Sequence, residues 1–393
     1  MAVTALAYRP FGRETWRDPF TLYQRLRDED PVHRSPMGTW VLTRFDDVFR
    51  AARDTATFSS AQGLTFLNER EELALAPTMV MMDPPGHTHY RRLANRGFTP
   101  RQVAELEPEV RAFVRRRLRE LRAQGTGDFV SVLARPLPSW VVAHYLGVPE
   151  EDRYRFESWT QSIVQANAKG VVMGAGPALA ELYGYFTELI DRRRSEPGDD
   201  LVSVLIQADG EGAGIGLEGI LGYAFVMIAG GNDTTTGLLA GAAELLTAYP
   251  DQRRRLLGDR GLIPNAVEEF LRLTSPVQGL CRVATRDVVV GGTTISRGER
   301  VLLCYGSANR DPREFGTDAE EADVGRHIER LMTFSSGAHF CLGAAAARLQ
   351  GRVVLEELLA ECPRFAVDAG AGVFADGAFT RRYESLPVTA DAG

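Results

Sequence analysis

Residues Phe334 to Gly343, Phe-Ser-Ser-Gly-Ala-His-Phe-Cys-Leu-Gly, constrain this chain more than any other stretch. They set Cys341 in a short loop between Gly337 and Gly343, two places after His339, and a helix-forming run follows from Ala344 to Leu359. A cysteine just ahead of a helix has backbone N–H groups directed at its sulfur. Those donors and the helix dipole favour the thiolate over the thiol. An electron-rich thiolate is one of the few protein ligands that bind haem iron and push electron density toward bound oxygen. The loop therefore predicts a sulfur presented to a cofactor from the start of a helix.

The rest of the chain narrows the setting. Its 393 residues carry a net charge of -7, so no global basic field gathers nucleic acid. The N-terminal stretch from Met1 to Phe20 mixes Arg9, Arg13, Glu14, Arg17 and Asp18 with apolar residues and has no signal-peptide core. The longest apolar stretch, Ile220 to Gly231, is too short to span a bilayer and runs into Asp233. A cytoplasmic protein without a membrane segment is expected. Cys281, Cys304 and Cys362 form no Cys-x-x-Cys pair with one another or with Cys341, which argues against a structural zinc site or a c-type haem. They read as small buried apolar residues.

Strand signals are sparse. Val32 to Ser35 and Thr39 to Thr43 come early, and Val301 to Tyr305 late. Val288 to Val290 and Thr293 to Ile295 flank Gly291-Gly292, a two-residue hairpin signal. Helical segments dominate from Asp46 to Leu273, broken by glycine and proline. The fold class expected is mainly α with a small β region. The candidate motifs, from His87 to Cys341, need one another to make one site, so residues 1–393 are expected to form one domain.

Leu217 to Tyr249 is the longest helical pattern, and its middle reads Gly230-Gly231-Asn232-Asp233-Thr234-Thr235. Interior glycines weaken a helix by about 1 kcal/mol each relative to alanine. Asp and Thr side chains compete there for backbone groups. Such a local conflict marks a functional or strained site. The glycines would let a flat cofactor or a diatomic ligand approach, and Asp233 and Thr234 could deliver protons to it. The alternative is a kinked buried helix with Thr234 bonded back to a carbonyl. Glu269 and Arg272 stand at i, i+3 on one helix face, and His87 and Arg91 at i, i+4 after Asp83-Pro84-Pro85.

Together these segments resemble the cytochrome P450 family. The loop fills every fixed position of its signature, Phe-x-x-Gly-x-His-x-Cys-x-Gly, from Phe334 through Cys341 to Gly343. The resemblance extends to Phe98-Thr99-Pro100-Arg101, Ala284-Thr285-Arg286-Asp287 and Ala308-Asn309-Arg310-Asp311-Pro312, as in soluble actinobacterial members. It implies the P450 fold, haem b, and Cys341 as the axial iron ligand. His87, Arg91, Arg282 and His339 would hold the haem propionates, and Phe334, Gly343 and Gly230 would also lie at the cofactor. Thr234 and a water would serve the reacting dioxygen while Asp233 feeds protons inward, so that O–O cleavage proceeds without loss of hydrogen peroxide. Glu269 and Arg272, joined by Arg326, would brace the cysteine loop. Two positions depart from the common pattern: Ser335 replaces a glycine, and Ala322 an aromatic residue.

The implied activity is a monooxygenase that inserts one atom of dioxygen into a hydrophobic organic substrate. No reductase domain is recognisable, so electrons would come from a separate ferredoxin and its reductase, with Arg92, Arg96 and Arg348 as a basic docking patch. The resemblance places pocket walls at Leu64, Phe66, Leu67, Met79, Met81, Phe225, Val226, Val277 and Leu280, and around Phe379. Asn68, Asn167 and Gln278 would be its polar anchors. A haem-binding sensor or electron carrier would also use an axial cysteine, but has no need of Asp233-Thr234. A cysteine hydrolase would need more machinery than His339.

Overall fold

The computed structural model describes residues 6–9, 13–66, 78–168, 176–377 and 379–390. Leu67 and Asn68 lie outside the described residues, as does the side chain of Asn167.

A helix from Gly216 to Ala248 runs through the middle of the molecule. Its residues are apolar or small all round rather than on one stripe, the pattern of a buried helix. It stays helical through Gly230–Thr235. Glycine is required where neighbours press on it. A Cβ at Gly241 would lie 2.5 Å from Thr274 Cγ2, and one at Gly237 only 2.8 Å from the Arg381 carbonyl oxygen.

The helix Ala344–Glu361 packs along Glu107–Gln124. Val353, Val354, Leu355 and Leu358 share one core with Val110, Val114, Leu118 and Leu121. Full burial of each such side chain contributes about 1.5–3 kcal/mol. Above that seam Arg111 donates to Glu107, Glu356 and Glu357 at 2.6, 2.6 and 2.5 Å. This contact ties the C-terminal half of Ala344–Glu361 to the first turns of Glu107–Gln124. Among the described residues no helix is long and apolar enough to cross a membrane.

The main sheet has five strands in the order Val32–Arg34, Trp40–Leu42, Arg300–Leu303, Leu280–Ala284, Phe58–Ser59. Only the Trp40–Leu42 and Arg300–Leu303 pair is parallel. The expected hairpin is present, with Val288–Val290 paired to Thr293–Ile295. Gly291 and Gly292 take φ of 55° and 82°, the left-handed pair that such a turn demands. Strands at Thr126–Asp128, Ala366–Val367, Val373–Phe374, Tyr383–Ser385 and Pro387–Thr389 have no counterpart in the expectations. At two or three residues each, they are too short to show a period. Cys281, Cys304 and Cys362 are buried, as expected.

Candidate active site

A cavity of about 360 Å³ opens between the central helix, the helix Gly86–Asn95 and the cysteine loop. Cys341 faces it from the loop, just before the helix N-cap Gly343. Its N–H donates to the Phe334 carbonyl at 2.9 Å, which closes the loop. The Gly343 N–H, Arg91 and Arg348 all favour the thiolate, but burial outweighs them and pushes the thiol up. The loop's backbone donor acts in the expected direction, and Cys341 is open to the cavity.

Across the cavity, Gly230 and Thr234 present the other wall. A Cβ at Gly230 or at Gly343 would meet nothing within 4 Å, so both glycines border open space. Gly231, by contrast, would place a Cβ 2.7 Å from Val142 Cγ2. Both paired glycines line the cavity, but only at Gly231 does packing also exclude a side chain.

One edge of the cavity is cationic. The rings of His87 and His339 lie 4.3 Å apart, and Arg91 donates to the Phe340 carbonyl at 2.6 Å. Arg282 is buried and donates to the Cys281 carbonyl at 2.7 Å. Burial, then Arg282, His87 and Arg91, hold His339 down at about 3. His87 is likewise lowered, by burial and then Arg91. Ser60 Oγ lies 3.1 Å from His339 Nε2. His89 is turned away, 2.9 Å from the Ala213 carbonyl. A cluster that weakens its own histidines as bases suits a ligand with two carboxylates. One thiol, two open glycine faces and this cationic edge fit a haem.

Thr234 donates to the Gly230 carbonyl at 2.8 Å while lining the cavity. Backbone bonding and cavity access therefore hold together and are not alternatives. Asp233 does not line the cavity; it pairs with Arg382 at 2.5 Å. Burial pushes its carboxyl up, opposed by Arg382 and then Arg135. Arg382 was not anticipated. Its sequence signal is slight: the pair Arg381-Arg382 between Phe379-Thr380 and Tyr383.

The scaffold residues meet as expected. Arg272 donates to Glu269 through Nε and Nη2, both at 2.7 Å, with both side chains fully buried. Arg326 adds a third contact to Glu269 at 3.2 Å, and the Asp323 N–H one at 3.0 Å. Ala322 is itself buried, and its departure from the aromatic leaves the arrangement intact.

Leu64, Met79, Met81, Phe225, Val226, Val277, Leu280 and Phe379 line the cavity. Phe66 does not: it packs against Tyr8, ring centroids 6.4 Å apart, in a separate cluster. Gln278 is also misplaced by the expectation. It is buried in the turn after Thr274, donating to the Thr274 and Ser275 carbonyls. The basic patch is largely neutralised, since Arg348 is held by both oxygens of Glu268 and Arg96 pairs with Glu211. Arg92 is exposed.

A helical body around a cavity with one thiol on its floor defines a protein built to hold a flat, iron-bearing cofactor. The family model for cytochrome P450 matches residues 178–368. Cytochrome P450 130 of Mycobacterium tuberculosis is 56% identical over 388 residues, 95% of either chain. The vitamin D(3) 25-hydroxylase of Pseudonocardia autotrophica is 36% identical, covering 96% of this chain and 95% of its own. Among solved structures, cytochrome P450 CYP109Q5 from Chondromyces apiculatus superposes with a TM-score of 0.90 at 32% identity, covering 99% and 100% of the two chains. This chain belongs to the cytochrome P450 family. Members of the family bind haem b through a cysteine thiolate.

Proposed function

We propose that this P450 is a cytoplasmic, single-domain monooxygenase that oxidises a bulky hydrophobic molecule, with electrons from a separate ferredoxin and its reductase. One observation carries the reading: Cys341 and Thr234 line one apolar cavity, with the acid Asp233 next to Thr234 in the chain. A sensor or an electron carrier has no use for that pair.

Cys341 Sγ would ligate the haem iron, and His87, Arg91, Arg282 and His339 would hold the propionates. What bound haem b supplies is the activation of dioxygen with two electrons, one oxygen atom going to the substrate and the other to water. The Thr234 hydroxyl, poised on the Gly230 carbonyl, donates into the cavity and is replenished through water. Asp233 relays protons from the Arg382 side of the central helix to that hydroxyl. Met79, Met81, Phe225 and Leu280 exclude bulk water and hold the substrate by its apolar surface. A bulky substrate is supported by two relatives, one named as a vitamin D(3) 25-hydroxylase and one as a polyketide biosynthesis cytochrome P450. A further neighbour, with a TM-score of 0.86, was solved in complex with corticosterone.

The test is spectroscopic. The reduced protein with carbon monoxide should give the red-shifted Soret band of a thiolate-ligated haem, and Cys341→Ser should abolish it. Sterols, macrolides and fatty acids are then screened for the spin-state shift that follows loss of iron-bound water. A purified chain that takes up no haem would sink the proposal.

A further inference from the structure

Among the described residues, two other than glycine have a left-handed backbone, Ser275 at φ 38° and Ser335 at φ 59°. Ser275 ends the helix Ile263–Thr274, which carries Glu269 and Arg272. Ser335 stands in the cysteine loop, beside the Phe334 carbonyl that accepts the Cys341 N–H. The left-handed region is strained for any residue with a Cβ and persists only where surroundings hold it.

Both serines are held by the same turn of chain. Asn309 Nδ2 donates to Ser275 Oγ at 2.8 Å, and the Tyr305 hydroxyl donates to Ser335 Oγ at 3.1 Å. Tyr305 and Asn309 bracket the short helix Tyr305–Ala308 at i, i+4, and so share a face. Asn309 does more. Its Oδ1 accepts the Met332 N–H at 2.8 Å, its Nδ2 also donates to Thr333 Oγ1 at 2.8 Å, and its carbonyl accepts Arg272 Nη1 at 2.9 Å. Tyr305, Asn309, Ser275 and Ser335 are all buried from bulk solvent, Tyr305 and Ser335 at the edge of the cavity.

We infer that Tyr305 and Asn309 form a clamp joining the Glu269–Arg272 helix to the cysteine loop, and that Tyr305 is a positioning residue for Cys341, acting through Ser335. The inference rests on the reading of Cys341 as the haem ligand. Serine can stand at position 335 because Tyr305 binds its hydroxyl, and small size alone does not account for it. The bond fixes the peptide next to the carbonyl that holds Cys341, and so fixes where Sγ points.

Tyr305→Phe keeps the ring and removes only the hydroxyl. It is compared with the parent chain, with Ser335→Gly, and with the double variant. In the parent background, losing one buried hydrogen bond should speed haem transfer to apomyoglobin about fivefold. It should also move the haem reduction potential and convert part of the red-shifted carbon monoxide band to a non-thiolate band. In the Ser335→Gly background, Tyr305→Phe should change none of these. A Tyr305→Phe protein identical to its parent, or equally altered in both backgrounds, overturns the clamp. Urea denaturation of the four proteins reads the same coupling without haem. If the parent gives no thiolate band but the coupling persists, the ligand reading fails and the clamp stands.

Discussion

Asp233 and Arg382 form an ion pair, Oδ1 to Nε 2.5 Å, that turns the central helix's acid toward the C-terminal segment and not into the cavity. Removing the arginine leaves burial opposed only by Arg135. The carboxyl of Asp233 then keeps its proton to higher pH. Arg382→Gln should therefore move the pH profile of coupled product formation upward. It should also cost about 3 kcal/mol by stranding a buried charge. The sign follows from the raised carboxyl. Stability associated with neutral Asp233 is present at low pH and is lost as pH rises through the folded-state value. The variant's deficit should thus be largest near neutrality and shrink in mild acid, as urea denaturation at both conditions would read. A deficit independent of pH would show that Asp233 is not the group involved.

Thr234 has a resting partner in the Gly230 carbonyl at 2.8 Å, and the helix around it is continuous. Its removal should leave the fold within about 1 kcal/mol of the parent, the worth of one such bond. Thr234→Ala should keep the substrate-induced spin-state shift while the yield of product per electron falls about tenfold or more, the order expected of lost proton delivery. The missing electrons should be found as hydrogen peroxide. Thr234→Ser should restore most of the yield. Unchanged coupling in Thr234→Ala would take the hydroxyl out of proton delivery.

The features legible in the sequence are those written in short spacings. The Cys341 loop, the Glu269–Arg272 pair, the Gly291-Gly292 hairpin and the Gly230 to Thr235 segment each lie within a few residues, and local geometry fixes them. What escaped depends on chain segments meeting from far apart. Nothing near Asp233 foretells Arg382, and nothing near Arg348 foretells that Glu268 accepts from its Nε and Nη2. Phe66 is as apolar as Leu64, yet one packs on Tyr8 and the other lines the cavity. Hydrophobicity alone does not decide which face of a loop turns inward.

Glu269 accepts from Arg272 Nε and Nη2, from Arg326 and from the Asp323 N–H, with no exposure to solvent. Glu269→Gln keeps the shape and removes the charge. Arg272 is then buried without its counter-ion, at a cost of about 3–5 kcal/mol. The variant should show that loss in urea denaturation and purify with a reduced haem content. Asp323→Ala retains the backbone donor to Glu269 and removes only exposed contacts, with Arg255 and with the Gly325 N–H, so it should cost about 1 kcal/mol. Equal losses in the two would mean that the buried charge pair is not what holds this region.

Gly230 and Gly231 both line the cavity, but a methyl finds open space at one and a neighbour at the other, which makes them a test of what each is for. In either, alanine adds about 1 kcal/mol of helix propensity. At Gly230 the new methyl meets nothing within 4 Å, so Gly230→Ala should be as stable as the parent or more so. The same methyl projects into the space assigned to haem and substrate, so haem affinity and the spin-state response to large substrates should weaken. At Gly231 the methyl would lie 2.7 Å from Val142 Cγ2. Overpacking of that kind costs about 1–3 kcal/mol. Gly231→Ala should therefore lower the urea midpoint with haem affinity affected only as far as the fold is. Val142→Ala should relieve it, because the carbon in conflict is then gone. Weaker haem binding in Gly231→Ala than in Gly230→Ala, at equal stability, would reverse the assignment of the two glycines.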